Sequence, residues 1–497
     1  MSIDLDVKTV KTGFWHFPKT FYAVLLIEFW ERFAFYGLQS VAVIYFIQKY
    51  NISEANASNL FASFSALMYA MLVIGGIIGD KILGLRRTYL LGILLFIVGY
   101  GLLSYLETYN GLYMSMGIIL IGNVFFKTNA NNYISRCFER NDPRLDAAFT
   151  YFYMSINIGS FFGLLLVPII SKNYSYSIGL SLPAFSMLFA LITYFIFRSR
   201  FIYSDNQIGK KNSLEKNLLM IIIFLFALGI AYLLGLLLQN LVLSKILMFC
   251  ASSLILLIYL ITMFRLPKHE SQGMFVALIL LIQAIVFWIL YMQQATSLTL
   301  FAYHNVRLYI LGYSIPAGST QSFNGLFIIL LSPIMANLYM FFSKKKSGDL
   351  GIPTKYMLGI FITSLCFIIL GLATTYLADP NSKISIIWLF LAYGFYSLGE
   401  LLVSALGASM VSKLMPKRFG GFAQGIWYLS SAVGMKIGGQ ISSNVVSEYH
   451  GADLALSLKV FQSFFYKTGI IALVISLLLI VFLKPLNNKM KEILAID

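Results

Sequence analysis

The sequence predicts an all-α integral membrane protein of fourteen crossing helices, on three observations. Of the 497 residues, 59% are hydrophobic and only 11% charged, and mean hydropathy is +0.81; a soluble fold is excluded by that balance. Apolar runs of about 20 residues, the length a spanning helix needs, recur along the whole chain. The basic residues sit mostly between those runs, not within them.

The runs lie near 20–47, 55–80, 87–106, 112–137, 146–171, 177–198, 217–240, 242–264, 273–303, 322–343, 355–378, 385–413, 420–446 and 461–483. The first twenty residues, with Asp4, Asp6, Lys8, Lys11 and Lys19, lack the apolar core and small-residue cleavage site of a signal peptide, so the first helix is expected to stay as an uncleaved anchor. An even number of crossings places both termini on one side. With that side cytoplasmic, the cytoplasmic segments and helix ends hold 26 of the 36 Lys and Arg and the opposite loops seven. The positive-inside rule thus predicts both termini in the cytoplasm. The net charge of +16, which in a soluble chain would suggest nucleic acid, is read as a topology signal with no nucleic-acid partner. Cys137, Cys250 and Cys366 are far apart and have no metal-ligand neighbours, so neither a disulfide framework nor a metal site is expected.

The longest polar stretch, Arg198 to Lys216, precedes two helices (217–264) nearly free of polar side chains. Setting these aside as packing helices leaves six on each side, the arrangement of major facilitator transporters, whose halves rock about a central site. The expected division is a first six-helix bundle at 1–200, a linker with two extra helices at 201–268, and a second bundle at 269–497. GGIIGDKILGLRR, after the second helix, supports that reading: Gly75, Gly76, Gly79 and Gly84 allow a tight turn and close helix contact, and Asp80 is placed to pair with Arg86 or Arg87.

Glu28, Glu31, Arg32, Lys127, Glu400 and Lys436 lie well inside apolar helices. At about 2.5 to 3.5 kcal/mol each, six such groups facing lipid would be prohibitive, so most must face a polar interior. Glu28, Arg32 and Tyr36 follow at i, i+4 spacing with Glu31 one position aside, which predicts a charged face of the first helix directed at a cavity. An ion-pair cluster that only fixes packing is the competing reading. Lys436 is open between a packing role and snorkelling to the interface.

These residues resemble those of the proton-dependent oligopeptide transporter family, in its bacterial dipeptide and tripeptide permease branch. EFWERFAFYG (Glu28 to Gly37), GNVFFKTN (Gly122 to Asn129), FYMSINIGS (Phe152 to Ser160), SFNGLF (Ser322 to Phe327), GELLVSALG around Glu400 and GIWYLSS (Gly425 to Ser431) are similar to the family's motifs, in order and on the matching helices. The resemblance implies import of dipeptides and tripeptides with protons across the bacterial inner membrane, with no cofactor beyond the proton gradient, by a chain expected to work as a monomer. It also implies substrate-binding positions at Arg32, Tyr36, Tyr69, Lys127, Asn157, Asn324, Glu400, Trp427, Tyr428 and Ser431.

The residue chemistry agrees with it. Every short peptide offers a carboxylate, an ammonium and amides. Arg32 and Lys127 suit the carboxylate, Glu400 the ammonium, and Asn157 and Asn324 the backbone. Tyr36, Tyr69, Trp427 and Tyr428 suit side-chain pockets. Proton coupling is assigned to Glu28, Glu31 and Arg32: a carboxylate beside Arg stays ionised, whereas one that loses its partner in an apolar cavity takes up a proton. Glu31 is favoured as the carrier with Glu28 as its partner, though coupled carboxylates share protons. His16, His269, His304 and His450 lie toward the ends of the helices or in loops and are poor competitors. Where many relatives carry Arg and Glu, understood to bridge the halves on the outer side, this chain has Gln39 and Met292, so outer closure is expected without that ion pair. A same-fold drug or anion exporter and a non-transporting peptide sensor are the alternatives; an enzyme is disfavoured because no nucleophile elbow, metal cluster or nucleotide loop is present.

Overall fold

The computed structural model describes residues 17–72, 82–137, 145–203, 213–343, 350–449 and 453–494. Its first helices are α1 (Lys19–Tyr50), α2 (Glu54–Ala70), α3 (Leu85–Tyr105), α4 (Tyr109–Arg136), α5 (Leu145–Asn173) and α6 (Tyr176–Ile196). A short α7 (Arg198–Tyr203) precedes α8 (Ser213–Gln239) and α9 (Leu241–Arg265). The remainder comprises α10 (Lys268–Met292), α11 (Ser297–Asn305), α12 (Ser322–Ser343), α13 (Ile352–Tyr376), α14 (Ile386–Val403), α15 (Gly407–Leu414), α16 (Gly420–Val446) and α17 (Leu454–Leu494). Each of the fourteen predicted runs overlaps this series, residues 73–80 of the second run lying outside the described residues, so the chain is an all-α multi-pass membrane protein. Eleven described spans are long and apolar enough to cross a bilayer; α1, α2 and α16 complete the fourteen. The end of the bundle where α1 meets α2 is its distal end.

Local chemistry sets the helix ends. Helix α1 starts after Pro18 and stops at Asn51, whose left-handed conformation (φ 51°) returns its N–H to the Phe46 carbonyl, a position Asn tolerates well. Ser53 then caps α2 by accepting from the Asn56 N–H.

Two predicted continuous helices are interrupted. The run at 273–303 turns at Gln293–Thr296 before resuming as α11. Within it, Thr296 Oγ1 donates to the Met292 carbonyl (2.9 Å) and Gln293 Nε2 to Ile289 and Gly438 carbonyls (2.9 and 3.0 Å). These side chains satisfy backbone groups that a broken helix would leave bare at membrane depth. The run at 385–413 divides at a 3-10 turn, Ser404–Leu406, just after Glu400. Helix α17 is longer than its predicted 461–483, because helical structure continues into polar flanks on which an apolar-run criterion is silent. Two small pairings lie outside the helices: Val306–Arg307 runs parallel to Ile384–Ser385, and Tyr309–Ile310 forms a hairpin with Tyr313–Ser314.

Helix α1 is enclosed by α5 and α6, and α3 lies between α4 and α6; in the second group α13 packs on α14 and α17, and α10 on α16. The groups meet through α2 with α16 and α5 with α12. Of the two extra helices, α8 seats Ala227 and Ala231 against Ile118, Ile121 and Phe125 of α4. Helix α9 stands almost free, with few of its residues buried by the rest of the chain.

Candidate functional site

Glu28 and Glu31 are fully buried on α1, and Arg32 is 6% exposed. Their packing partner α5 comes unusually close because Gly159 and Gly163 carry no side chain. A Cβ at either position would sit 2.4 Å from the Phe29 or Phe33 carbonyl oxygen. That small-residue contact brings the Asn157 turn of α5 against the charged segment.

The charges pair differently from the simple i, i+4 expectation. Arg32 folds round to its neighbour Glu31 in a two-point bridge, Nε to Oε2 at 2.5 Å and Nη2 to Oε1 at 2.6 Å. Glu28 is secondary for Arg32, at 3.6 Å, and its Oε1 lies 2.5 Å from Lys127 Nζ on α4. Two carboxylates and two cations thus form a formally neutral set, buried except for the half-buried Lys127, which is how such charges are tolerated at membrane depth. Glu28 Oε2 is buried and makes no hydrogen bond among the described residues. Arg32 also lies over the rings of Phe35 and Tyr36, at 5.4 and 5.9 Å.

On the second group of helices, Asn324 Nδ2 of α12 donates to Glu400 Oε2 (2.8 Å) and to Ser397 Oγ (3.0 Å) on α14. Glu400 is half-buried and forms no salt bridge among the described residues. The phenol of Tyr36 lies within electrostatic range of Arg32, Glu31 and Glu400, so it is close to the charged groups of both sets of helices.

Aromatic residues build the walls. Tyr69 lies 6.3 Å from both Tyr428 and Trp288, and Trp288 lies 6.0 Å from Trp427 and 5.0 Å from Tyr291. Trp427 can take its place only because residue 407 is Gly, since a Cβ there would meet its ring at 2.0 Å. Trp288, Tyr291, Tyr396 and Tyr153 are additions to the residues picked from sequence. Tyr396 donates to the Tyr291 carbonyl (2.7 Å), and Tyr153 is in electrostatic range of Glu400. Trp288 and Tyr291 were discernible in FWILYMQQ as an i, i+3 pair on one helix face. Two expected site residues are turned to their own helices: Asn157 Nδ2 donates to the Tyr153 carbonyl (2.8 Å), and Ser431, buried, donates to the Trp427 carbonyl (3.3 Å).

Distal to this cavity the two groups of helices are joined by hydrogen bonds. Gln39 Nε2 donates to Gln321 Oε1 (3.1 Å), and Gln321 Nε2 to Thr299 Oγ1 (2.9 Å). Met292 is 3% exposed and shares with Gln39, Ser65, Tyr36, Tyr69 and Tyr291 a cavity of about 10 Å³, room for about one water. Farther out, Glu54 of α2 takes His304 Nε2 at 2.8 Å and the Tyr449 hydroxyl at 2.7 Å. Lys436 does not snorkel. It is 7% exposed and crosses from α16 to α2, donating to Asn59 Oδ1 (2.8 Å) and Ser63 Oγ (2.5 Å).

Gly76 and Asp80 lie outside the described residues, as do Gly75 and Gly79. Arg86 Nε donates to Tyr194 Oη (3.2 Å), and Arg87 donates through Nε and Nη2 to Asn217 Oδ1 of α8 (both 3.3 Å).

Residues 86–454, the greater part of the chain and all of the described site beyond α1 and α2, match the model of the POT family. The chain belongs to the POT family. It is similar to the dipeptide and tripeptide permease A of Escherichia coli K12, 37% identical over 484 residues that cover 96% of this chain and 94% of the relative. It is 35% identical to dipeptide and tripeptide permease B of Photorhabdus luminescens over 487 residues, covering 98% and 99%. Among solved structures it superposes on a bacterial homologue of the human drug peptide transporters PepT1 and PepT2 with a TM-score of 0.81 (27% identity, covering 94% of this chain and 98% of the homologue). A POT peptide transporter in complex with sulfate superposes with a TM-score of 0.82 (27% identity, covering 96% and 97%). Members of the POT family are transporters, not enzymes.

Proposed function

We propose that this POT protein is a symporter that imports dipeptides and tripeptides with protons by alternating access, using the gradient alone and no cofactor. The observation that carries the proposal is the pair of unlike charged groups flanking Tyr36: Arg32 and Lys127 with their carboxylates on the first bundle, and Glu400 with Asn324 on the second. The peptide carboxylate competes with Glu31 for Arg32, and a proton on Glu31 releases the guanidinium to it. The ammonium goes to Glu400, which has no cationic partner among the described residues, so a bound peptide draws the two bundles together. Residues 1–200 and 269–497 act as the moving halves around the linker and extra helices at 201–268. Asn157 and Ser431 turn from their own helices to the peptide when it enters, and Tyr36, Tyr69, Trp427 and Tyr428, with Trp288 and Tyr291, surround its side chains. Gly76, Asp80, Arg86 and Arg87 form the conformational motif between the second and third spans.

The proposed location is the bacterial inner membrane with both termini cytoplasmic, supported by the 26 to seven partition of basic residues. The distal end is then the outer face, and Gln39 with Gln321 closes it by a neutral hydrogen bond. A cytoplasmic reporter fused after Asp497 is expected to be active and a periplasmic one silent; the reverse would invert the topology. The working unit is proposed to be the monomer. One homologue is a tetramer in the crystal, an arrangement compatible with one pathway per subunit.

Uptake of a labelled dipeptide into proteoliposomes tests the reading. Accumulation is expected with an inward proton gradient and not without one, and free amino acids are expected to compete poorly because one residue cannot reach both charged groups. Uptake indifferent to the gradient would overturn the symport assignment. Glu400→Gln is expected to weaken peptides with a free ammonium about tenfold, the scale of one charge-assisted hydrogen bond, and N-acetylated peptides much less. Equal losses for both would remove the ammonium role.

A further inference from the structure

Between α9, α10 and α16 runs a groove of about 970 Å³, at the upper end of the roughly 300–1,000 Å³ typical of ligand pockets. Met248, Phe249 and Leu256 of α9 face Leu281 of α10 and Leu429 and Val433 of α16 across it. From Lys245 to Leu260 the α9 wall is about 22 Å long at 1.5 Å per residue, more than the ~15 Å of hydrocarbon in one leaflet. Because α9 is scarcely buried by the rest of the chain, the groove opens toward the bilayer.

The distal part of this apolar groove is positively charged. Lys245 and Lys436 both line it. Lys245 is exposed and pairs with no carboxylate among the described residues. Lys436 gives two of its three N–H bonds to neutral oxygens, Asn59 Oδ1 and Ser63 Oγ, and pairs with no carboxylate among the described residues. Two ammonium groups lining one hydrocarbon channel are unfavourable, and an anion beside them removes the conflict.

We propose that the groove binds one anionic phospholipid, its acyl chain lying along α9 and its phosphate beside Lys245 and Lys436. The occupant fits on both counts, an apolar tail for the channel and a negative head for the lysines. The site requires only that the protein spans a membrane and is independent of the peptide substrate. Occupied, it ties α9 to α16, the helix whose Lys436 joins α2 at the distal contact.

Native mass spectrometry of the purified full-length protein, with phosphatidylglycerol and phosphatidylethanolamine of identical acyl chains, tests the proposal. One phosphatidylglycerol is expected to be retained, favoured about fivefold over phosphatidylethanolamine, the scale of one lysine near an anionic headgroup. Lys245→Gln, at an exposed position that leaves the Lys436 contact intact, is expected to remove most of that preference. Ser253→Trp, which fills the channel, is expected to lower retention of both lipids, with monodisperse elution reporting intact folding. Equal retention by the unsubstituted protein, or a preference unchanged by Lys245→Gln, would overturn the site. Retention unaffected by Ser253→Trp would place the lipid elsewhere, and a lipid-free dimer would assign the groove to a second copy; either result would also overturn it.

Discussion

Glu31→Gln is expected to abolish proton-driven accumulation of dipeptide while sparing part of peptide exchange across the membrane. Glu31 holds Arg32 through two short contacts in a fully buried setting. Breaking a buried pair from one side costs about 3 to 5 kcal/mol because it strands the other charge, more than a hundredfold in an equilibrium. Here the stranded guanidinium retains Glu28 at 3.6 Å and gains the peptide carboxylate, so the loss falls on coupling more heavily than on binding. Counterflow of labelled against unlabelled dipeptide, which needs no net proton movement, separates the two. Full accumulation by Glu31→Gln would move the proton site elsewhere, with Glu28 the nearest candidate.

Met292→Glu is the second large effect expected. Met292 is buried beside Gln39 in a cavity with room for about one water, and none of the residues lining that cavity is a cation that could pair with a carboxylate introduced there. The penalty is several kcal/mol for an unpaired buried charge, seen as a lowered melting temperature and at least a tenfold loss of uptake. Adding Gln39→Arg supplies the missing cation and is expected to recover part of both, at the expense of the Gln39–Gln321 hydrogen bond. A double variant no better than Met292→Glu alone would show that the two positions do not face one another when the outer side is closed.

The spans and the charged positions were legible in the sequence for one reason: a charge in an apolar run is anomalous on the scale of the bilayer, and both run and anomaly are local. Partnerships between distant helices were not. Lys127 was assignable to the cavity, but its position on Glu28, 99 residues away, depends on how α4 meets α1. Nor does a sequence say that Gln39 bonds Gln321 or that Lys436 reaches Asn59 and Ser63 instead of the interface, since long side chains choose among several acceptors only once helices are packed. The turn at Gln293–Thr296 was missed because Gln and Thr are acceptable in a helix. Their role as substitutes for lost backbone bonds appears only where Gly438 offers its carbonyl. Trp288 and Tyr291 were passed over because aromatics make up 16% of the chain, so composition alone cannot separate cavity walls from lipid-facing rings.

The central claim is that peptide and proton enter together, and lumenal pH measures it directly. With a pH-sensitive dye inside proteoliposomes and a negative-inside potential, external dipeptide is expected to acidify the lumen, free amino acid to leave it unchanged, and Glu31→Gln to abolish the response. Accumulation of dipeptide in the unsubstituted protein without lumenal acidification would contradict the account.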